Sequence, residues 1–279
     1  MSNLLKRYLK LWDLSDPQPL ATTVTSHVYT VTSEGTRVVL KLLTDIGAEE
    51  QQGAIALRYF DGHGAVRLLR ADHHAHLLEY ADGENLTGFV RNGADDQATA
   101  IIGDVLNQLH QRTDELIPDK LTPLKMWFHG LFHKAAFDKS EGLNSIYIRA
   151  AALTEHLLNQ DREVRVLHGD IHHENIRHLT QRGWLAFDPK GLVGERTFDA
   201  ANTLCNPMNM PEVVENEERI LRTTGILAQK MGIEQKRVLA FVYIYACLSA
   251  SWFVNDGLDG SREVKIAELV EPHLAHLSF

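Results

Sequence analysis

The chain has 279 residues, of which 44% are hydrophobic, an ordinary composition for a globular protein with one large or two modest cores. Its formal net charge of −9 argues against a general nucleic-acid binder and favours a ligand that carries positive charge. The two cysteines, Cys205 and Cys247, are isolated, so we expect neither a disulfide framework nor a zinc ribbon.

The hydropathy pattern does not indicate secretion or membrane insertion. Residues 1–12 form an amphipathic run with scattered basic residues and without an apolar centre or a cleavage site, so we expect a cytoplasmic protein. Residues 238–254 carry no charge and approach the length of a membrane span, but two tyrosines and two serines interrupt them. We therefore predict a buried core helix there and no membrane contact.

The first predicted elements form an antiparallel hairpin. Residues 21–31 alternate and are rich in Thr and Val, and residues 37–43 follow after a Ser-Glu-Gly turn. Lys41 ends the motif Val-Val-Leu-Lys in the second strand, a pattern in which a strand lysine reaches the α- and β-phosphates of a nucleotide. A lysine on the solvent-facing side of the strand is the alternative interpretation.

A helix is predicted over residues 47–60, where Asp-Gly ends it. We expect Glu50 to pair with Lys41, with Glu49 as the fallback, because periodicity does not show which carboxylate faces the sheet. The Gly-His-Gly that follows lies between this helix and a predicted strand at 65–69. That order is wrong for a dinucleotide-binding loop, so it is interpreted as a turn.

The boundary between two lobes is predicted after a strand at residues 76–80. In a two-lobed nucleotide-binding protein, the main chain at such a break forms hydrogen bonds with the edge of the adenine ring. Here the carbonyl of Glu79 and the N–H of Ala81 would form them. An ordinary connecting loop would leave the same pattern. The predicted lobes are residues 1–81, which bind the nucleotide, and residues 82–279, which carry catalysis and substrate binding.

Beyond the boundary, apolar residues recur at helical spacing, so the second lobe is predicted to be mostly α-helical. The segments are 95–111, 124–136, 145–158, 213–231 and 238–254.

Three polar residues accompany three short β runs in the second lobe. The runs are 165–167, 176–179 and 184–187. Asp170 follows the first run, Asn175 precedes the second and Asp188 follows the third, and a Gln-Arg-Gly turn brings the last two residues together. One Asp can receive the proton of an attacking hydroxyl while the amide and the second carboxylate hold Mg²⁺, a hard ion that prefers oxygen ligands. This spacing therefore suits phosphoryl transfer.

Lys41, Glu50, Asp170, Asn175 and Asp188 in this order resemble the kinase-like small-molecule phosphotransferases. The likeness is to the aminoglycoside and hydroxyurea antibiotic resistance kinase family, and within it to the streptomycin 6-phosphotransferases. Its most specific blocks are Gly-Ala-Val-Arg-Leu-Leu (64–69), Leu-Leu-Glu-Tyr-Ala (77–81), His-Gly-Asp-Ile-His-His-Glu-Asn-Ile (168–176) and Asp-Pro-Lys-Gly-Leu-Val-Gly-Glu (188–195). The resemblance covers roughly residues 22–251.

The resemblance implies an α+β, protein-kinase-like two-lobe fold: a small N-terminal antiparallel β-sheet lobe with one helix and a larger, mainly α-helical C-terminal lobe. It implies transfer of the γ-phosphate of ATP to a hydroxyl, with Asp170 as the catalytic base and Asn175 and Asp188 as Mg²⁺ ligands. Lys41 would be held by Glu50, and His168 would anchor the loop.

Departures from the protein-kinase sequence pattern narrow the expected class of substrate. Gly169 and Pro189 stand where protein kinases carry Arg and Phe, and no Ala-Pro-Glu segment is recognisable, which argues against protein substrates. The hairpin loop also lacks the Gly-rich kinase pattern. Phosphate contacts there would come from Ser26 and backbone N–H groups.

The substrate pocket is predicted from charge. A streptomycin-like ligand carries guanidinium groups, whose forked donors are best met by carboxylates. The expected ligands are Glu195, Asp256, Asp259 and Glu263, and a solvated helix end is the alternative for the last three. The expected partner is a small cationic molecule, and the chain is expected to be a monomer or a weak homodimer.

Three alternatives stay open. The enzyme could phosphorylate hydroxyurea or another small metabolite, or the chain could be a catalytically silent nucleotide-binding regulator. Two histidine groups also allow a zinc interpretation, although no His-Glu-x-x-His is present. These are His172 with His173 and Glu174, and His73 with His74 and His76. Asp199 is expected to cap a helix, to brace the catalytic loop, or both.

Overall fold

The structure, a computed structural model, describes residues 2–45, 47, 50–113, 115–160 and 162–274. Its N-terminal part is a five-stranded antiparallel sheet with the order β1-β2-β3-β5-β4. The strands are β1 (Leu14–Thr22), β2 (Ser26–Ser33), β3 (Thr36–Leu43), β4 (Leu68–Ala71) and β5 (Ala75–Glu79). The predicted hairpin corresponds to β2 and β3, in which Ser33 lies opposite Thr36. Its first strand was predicted to begin at residue 21, whereas residues 21–22 end β1 and β2 begins at Ser26.

Two N-terminal elements were not predicted from the sequence. Helix α1 (Asn3–Leu11) begins after Ser2, whose side chain accepts a hydrogen bond from the N–H of Leu5, and it buries one face against the sheet. Strand β1 contains two prolines and is mostly exposed, so it lacks the alternation that identifies a strand. It forms the edge of the sheet, with two irregularities in its pairing to β2.

Helix α2 (Glu50–Phe60) is the predicted helix, so the N-terminal lobe has two helices instead of the predicted one. Glu49, the fallback partner for Lys41, lies outside the described residues. The buried side chains of α2 belong to the same hydrophobic cluster as the helical part of the molecule, whereas α1 packs in a separate cluster with the sheet. Helix α2 therefore connects the packing of the two parts.

The C-terminal part is mainly helical, as predicted. Its helices are α3 (Thr87–Arg91), α4 (Asp95–Leu109), α5 (Leu124–Trp127), α6 (His129–Ser140), α7 (Ile146–Leu158), α8 (Phe198–Ala201), α9 (Pro211–Val214), α10 (Glu217–Met231), α11 (Gln235–Asn255) and α12 (Ser261–Val270). The helix expected at 124–136 is divided into α5 and α6, and the one at 213–231 into α9 and α10. Helices α3 and α12 were not predicted.

The described residues of this helical part also form five short strands. The loops next to these strands carry Asp170, Asn175 and Asp188. The strands are β6 (Thr122–Pro123), β7 (Val164–Leu167), β8 (Ile176–Leu179), β9 (Gly183–Ala186) and β10 (Leu192–Glu195). Strands β8 and β9 form a hairpin, and β10 lies between β6 and β7. The three predicted β runs thus correspond to β7, β8 and β9.

Helix α11 is the central helix of the C-terminal part. It is long and apolar enough to cross a membrane, but 72% of its most apolar stretch is buried inside the protein. It packs against α7, α8, α10 and α12. The structure therefore gives the uncharged segment the core position that was predicted for it.

Two glycines, one in α2 and one in the loop that follows β9, allow the backbones of these two segments to come into direct contact. A Cβ atom on Gly53 would lie 2.2 Å from the carbonyl oxygen of Pro189, and one on Gly191 would lie 2.2 Å from the carbonyl oxygen of Gln52. Gly191 also has a φ of +72°, which side chains disfavour. This contact fixes the distance between the start of α2 and Asp188.

The contact predicts opposite effects for two helical Gly→Ala substitutions. Gly53→Ala should lower the free energy of unfolding by about 1–3 kcal/mol, because the added methyl group forces α2 away from the loop. Gly225→Ala in α10 meets only ordinary contacts from 3.6 Å outward, so it should raise stability by up to about 1 kcal/mol through helix propensity. Urea denaturation measures both, and equal shifts in the two variants would contradict the proposed contact.

Candidate active site

The loop between β7 and β8 carries Asp170 and is held by one buried carboxylate. Asp199 in α8 accepts hydrogen bonds from the N–H of His168 at 2.9 Å and from the N–H of Gly169 at 2.7 Å. Its side chain is fully buried and also contacts Nε2 of His110 at 2.9 Å. Two roles were expected for Asp199, capping a helix and bracing the catalytic loop. The hydrogen bonds to His168 and Gly169 show the second role.

His168 connects this loop to the loop after β9. Its Nε2 lies 3.0 Å from the carbonyl oxygen of Phe187, and its Nδ1 lies 3.3 Å from the N–H of Asp170. Burial lowers the pKa of His168 against the opposing effect of nearby carboxylates, so the ring is neutral. A neutral ring with its proton on Nε2 satisfies both contacts, and the two loops are thereby fixed to each other.

Asp170 lies at the centre of a polar cluster. Its Oδ1 accepts a hydrogen bond of 2.7 Å from Nδ2 of Asn202, and its Oδ2 lies 3.4 Å from Nζ of Lys190. Nδ2 of Asn175 donates to the main-chain oxygen of Asp170 at 3.0 Å. Because the amide nitrogen of Asn175 is used in this way, its carbonyl oxygen is left to act as a ligand.

Asp188 faces this cluster from the loop after β9. It has a left-handed backbone with a φ of +64° and contacts the ammonium group of Lys41. Burial alone would raise the pKa of Asp188, but the charges of Lys41 and Lys190 outweigh it and lower that pKa. The carboxylate is therefore ionised at neutral pH.

Lys41 is buried and has a second carboxylate partner. Its Nζ lies 2.6 Å from Oε2 of Glu50, the pairing that the sequence predicted. Oε1 of Glu50 accepts a hydrogen bond of 2.7 Å from Thr25, in the loop between β1 and β2. Thr25 was not identified from the sequence, since nothing in its local pattern distinguishes it from any loop threonine.

A cavity of about 360 Å³ lies between the sheet and these loops. Its lining includes Ser26, Lys41, Glu79, Ala81, Asn175 and Asp188, together with Val28, Val39, Arg177 and Phe187. The predicted nucleotide-binding and metal-binding residues other than Glu50 thus share one cavity, and Glu50 contacts it through Lys41. The carboxylate of Glu79 pairs with Arg182 and accepts the N–H of Arg67, and its own N–H donates to the carbonyl oxygen of Arg67, so its carbonyl oxygen is the group considered for a ligand.

The donor set suits a hard cation better than zinc. Within the described part of the chain, no group of three or more His, Cys, Asp or Glu side chains converges in a way that could hold a metal ion. Mg²⁺ does not need such a cage, because it keeps waters and shares phosphate oxygens with one or two protein ligands. One carboxylate, Asp188, and one amide oxygen, Asn175, on the same cavity fit that requirement.

Two of the four predicted substrate carboxylates have both oxygens bound by other groups of the chain. Glu195 is 1% exposed, and both its oxygens are bound by the guanidinium group of Arg237 in α11. Asp259 is exposed, and its oxygens accept hydrogen bonds of 2.9 Å from the N–H and the hydroxyl of Ser261 at the start of α12. Glu195 forms a buried ion pair and Asp259 binds the first residue of α12, which counts against a role for either carboxylate in ligand binding.

The other two carboxylates lie near aromatic residues of α11 that the sequence analysis missed. Glu263 is 1% exposed, and its Oε1 is bound by the guanidinium group of Arg262. Burial raises the pKa of the buried Tyr245, and the negative charges of Asp170 and Glu263 raise it further. Trp252 contacts the ring of Tyr245, with centroids 6.4 Å apart. Asp256 is exposed one turn after Trp252, at the end of α11. The aromatic residues belong to the apolar pattern of α11, which by itself indicates only a core helix.

The fold is similar to that of solved small-molecule kinases. The chain aligns over its full length with aminoglycoside phosphotransferase APH(4)-Ia, with a TM-score of 0.66, 13% identity and 100% of that chain covered. It aligns over 97% of its length with choline kinase LicA from Streptococcus pneumoniae, with a TM-score of 0.62, 14% identity and 96% of that chain covered. These likenesses confirm the predicted protein-kinase-like fold.

The sequence comparisons show the family. Residues 11–257 match the model of the aminoglycoside/hydroxyurea antibiotic resistance kinases. The chain is 36% identical over 253 residues to streptomycin 3''-kinase of Klebsiella pneumoniae, covering 89% of this chain and 92% of the relative. It is 31% identical over 275 residues to hydroxyurea phosphotransferase of Kitasatospora aureofaciens, covering 94% and 76%. The chain belongs to the aminoglycoside/hydroxyurea antibiotic resistance kinase family, which confirms the predicted enzyme class, a phosphotransferase with an alcohol group as acceptor.

The buried ion pair between Glu195 and Arg237 leads to a prediction about the free energy of unfolding. Glu195→Ala leaves Arg237 buried without its partner, so the free energy of unfolding should fall by about 3–5 kcal/mol. Asp104→Ala removes the exposed partner of Lys230 and should cost only about 0–1 kcal/mol. Urea denaturation compares the two variants. Unchanged stability of Glu195→Ala, combined with a loss of substrate affinity, would restore Glu195 to the substrate site.

Proposed function

We propose that this chain transfers the γ-phosphate of ATP, in a Mg²⁺-dependent reaction, to a hydroxyl of a small cationic substrate, an aminoglycoside such as streptomycin. The observation that carries the proposal is that Lys41, Asn175 and Asp188 line one cavity between the sheet and the helical part, while Asp170 adjoins them through its hydrogen bond with Asn175.

The cavity supports a nucleotide with its base toward the connection after β5. Val28 and Val39 supply apolar surface from the sheet, and the main chain of Glu79 and Ala81 faces the adenine edge. Lys41 directs its ammonium group at the phosphates, because Glu50 and Asp188 hold it from two sides. Ser26 is a further phosphate contact at the end of the sheet.

Asn175 and Asp188 are the proposed ligands of Mg²⁺. The ion, when bound, neutralises charge on the phosphate oxygens. The oxygen of Asn175 and the ionised carboxylate of Asp188 are the donors that such an ion prefers, and the pairing of Asp188 with Lys41 orients that carboxylate.

The transfer step uses Asp170 as the base. The acceptor oxygen forms a bond to the γ-phosphorus while the bond from that phosphorus to the β–γ bridging oxygen breaks, and ADP leaves with the electron pair. The carboxylate of Asp170 takes the hydroxyl proton. Asn202 and the brace from Asp199 orient this carboxylate, so little reorganisation is needed before the proton moves.

A cationic acceptor fits the surface beyond Asp170. Glu263 is a buried carboxylate with its Oε1 bound by Arg262, and Asp256 is an exposed carboxylate at the end of α11. Aromatic faces such as those of Tyr245 and Trp252 attract cations as well. Carboxylates and rings together are suited to guanidinium or ammonium groups.

The arrangement of the chain follows from this proposal. Residues 1–81 form the nucleotide lobe and residues 82–279 the catalytic and substrate lobe, with α2 packed into the core of the second lobe. The protein acts in the cytoplasm, where ATP is present, as a monomer or a weak homodimer.

A second candidate keeps the chemistry and changes the acceptor. The 31% identity to a hydroxyurea phosphotransferase supports a kinase of hydroxyurea or another small metabolite. A silent nucleotide-binding regulator is the third candidate, and the complete set of Lys41, Asp170, Asn175 and Asp188 counts against it.

ADP release measured against a panel of acceptors separates these candidates. The panel contains streptomycin, other aminoglycosides, hydroxyurea and simple amino alcohols, with and without Mg²⁺. Turnover with streptomycin supports the proposal, turnover with hydroxyurea alone supports the second candidate, and tight ATP binding without turnover supports the third. With any productive acceptor, Asp170→Ala should lower kcat by about 10²–10⁴-fold, and near-normal turnover would remove Asp170 from the role of base.

The charge of the substrate pocket can be tested with isosteric changes. Glu263→Gln and Asp256→Asn should each raise KM for a cationic acceptor about tenfold, because a charge-assisted hydrogen bond is lost. The KM for ATP should stay constant. Asp259→Asn is the matched control, since its carboxylate binds Ser261, and it should leave both values unchanged. An unaltered acceptor KM in the first two variants would refute this assignment.

A further inference from the structure

Lys190 is a charged residue at the site to which the proposed function assigns no role. Its N–H donates to the carbonyl oxygen of His168 at 2.7 Å, so its backbone is fixed to the catalytic loop. Gly169 permits this close approach, since a Cβ there would lie 3.2 Å from Cβ of Lys190. The side chain reaches Asp170, with Nζ 3.4 Å from Oδ2.

The side chain of Lys190 is also more exposed than that of Lys41. It is 39% exposed, whereas that of Lys41 is 8% exposed. Lys41 is held by Glu50 and Asp188. In the described part of the chain, Asp170 is the one acidic group within 4.0 Å of Nζ of Lys190. Lys190 therefore has one acidic partner and a partly exposed side chain that can move, whereas Lys41 is buried and held by two carboxylates.

Lys190 lies near both the proposed base and the proposed metal ligand. It follows Asp188 by two residues, its Nζ lies 3.4 Å from Oδ2 of Asp170, and its charge interacts with both carboxylates. In a transfer that moves phosphorus from the nucleotide toward a hydroxyl at Asp170, the phosphoryl group passes near this ammonium group. Charge then spreads over its three equatorial oxygens.

We propose that Lys190 is a catalytic residue that leaves its ground-state contact with Asp170 and binds the transferred phosphoryl group. The inference rests on the proposed function and deepens it. A lysine is suited to this task as a compact, movable point charge. An added cation at the transferred group accelerates phosphoryl transfer by about 10³–10⁵-fold in enzymes that use an arginine finger.

The test is binding of a transition-state mimic, which needs no acceptor. The affinity for Mg·ADP is measured by calorimetry with and without aluminium fluoride, which takes the place of the transferred phosphoryl group. Lys190→Met should weaken the complex with aluminium fluoride by about 30-fold or more, given the size of a lost charge–phosphate contact. The affinity for Mg·ADP alone should change by less than about threefold, since the site keeps Lys41 and both metal ligands.

Lys230→Met is the matched control. Its side chain is 37% exposed and pairs with a single carboxylate, Asp104, away from the cleft. This variant should bind both complexes like the wild type. Lys190→Arg, which keeps the charge, should recover part of the affinity for the complex with aluminium fluoride.

Two results would overturn the inference while leaving the proposed function intact. One is equal weakening of both complexes by Lys190→Met, which would give Lys190 a general role in the site. The other is unchanged affinity for the complex with aluminium fluoride. A wild-type chain that binds no Mg·ADP at all overturns the proposed function, and this inference with it.

Discussion

The buried ammonium group of Lys41 is the constraint on which the rest of the site depends. A buried charge is costly unless it is paired, and Lys41 is paired with Glu50 from α2 and Asp188 from the loop after β9. The sheet, α2 and the helical part must therefore come together at one point. Gly53 and Gly191 make that approach sterically possible, because side chains there would collide with the facing backbone.

A second buried carboxylate organises the other half of the site. Asp199 holds the loop before Asp170 through two main-chain N–H groups, and His168 links that loop to the one that carries Asp188. The ring of His168 is neutral and the carboxylate of Asp199 is fully hydrogen-bonded, so both groups can be buried at low cost. The proposed base and metal ligand thus keep their mutual position by contacts that do not involve the nucleotide.

The predicted substrate carboxylates show that the charge of a residue and its place in the sequence do not identify its partner in the folded chain. Glu195 follows the metal loop closely in sequence, yet its partner Arg237 comes from α11 and makes it part of the core. Lys190 shows the opposite case: its sequence position two residues after Asp188 drew no attention, and only its distance to Asp170 indicates a role. Neither outcome can be derived from local pattern, because each depends on a contact between distant segments or loops.

The sequence by itself determined the hairpin with Lys41, the helix that carries Glu50, the uncharged core helix and the order of Asp170, Asn175 and Asp188. These features depend on residue type and short-range spacing, which a single chain displays directly. The edge strand β1, the division of the helix at 124–136, the brace from Asp199 and the true partners of Glu195 and Asp259 were decided by the tertiary structure. Each of these depends on which surfaces meet after folding, and burial and pairing across the chain are properties of that packed state alone.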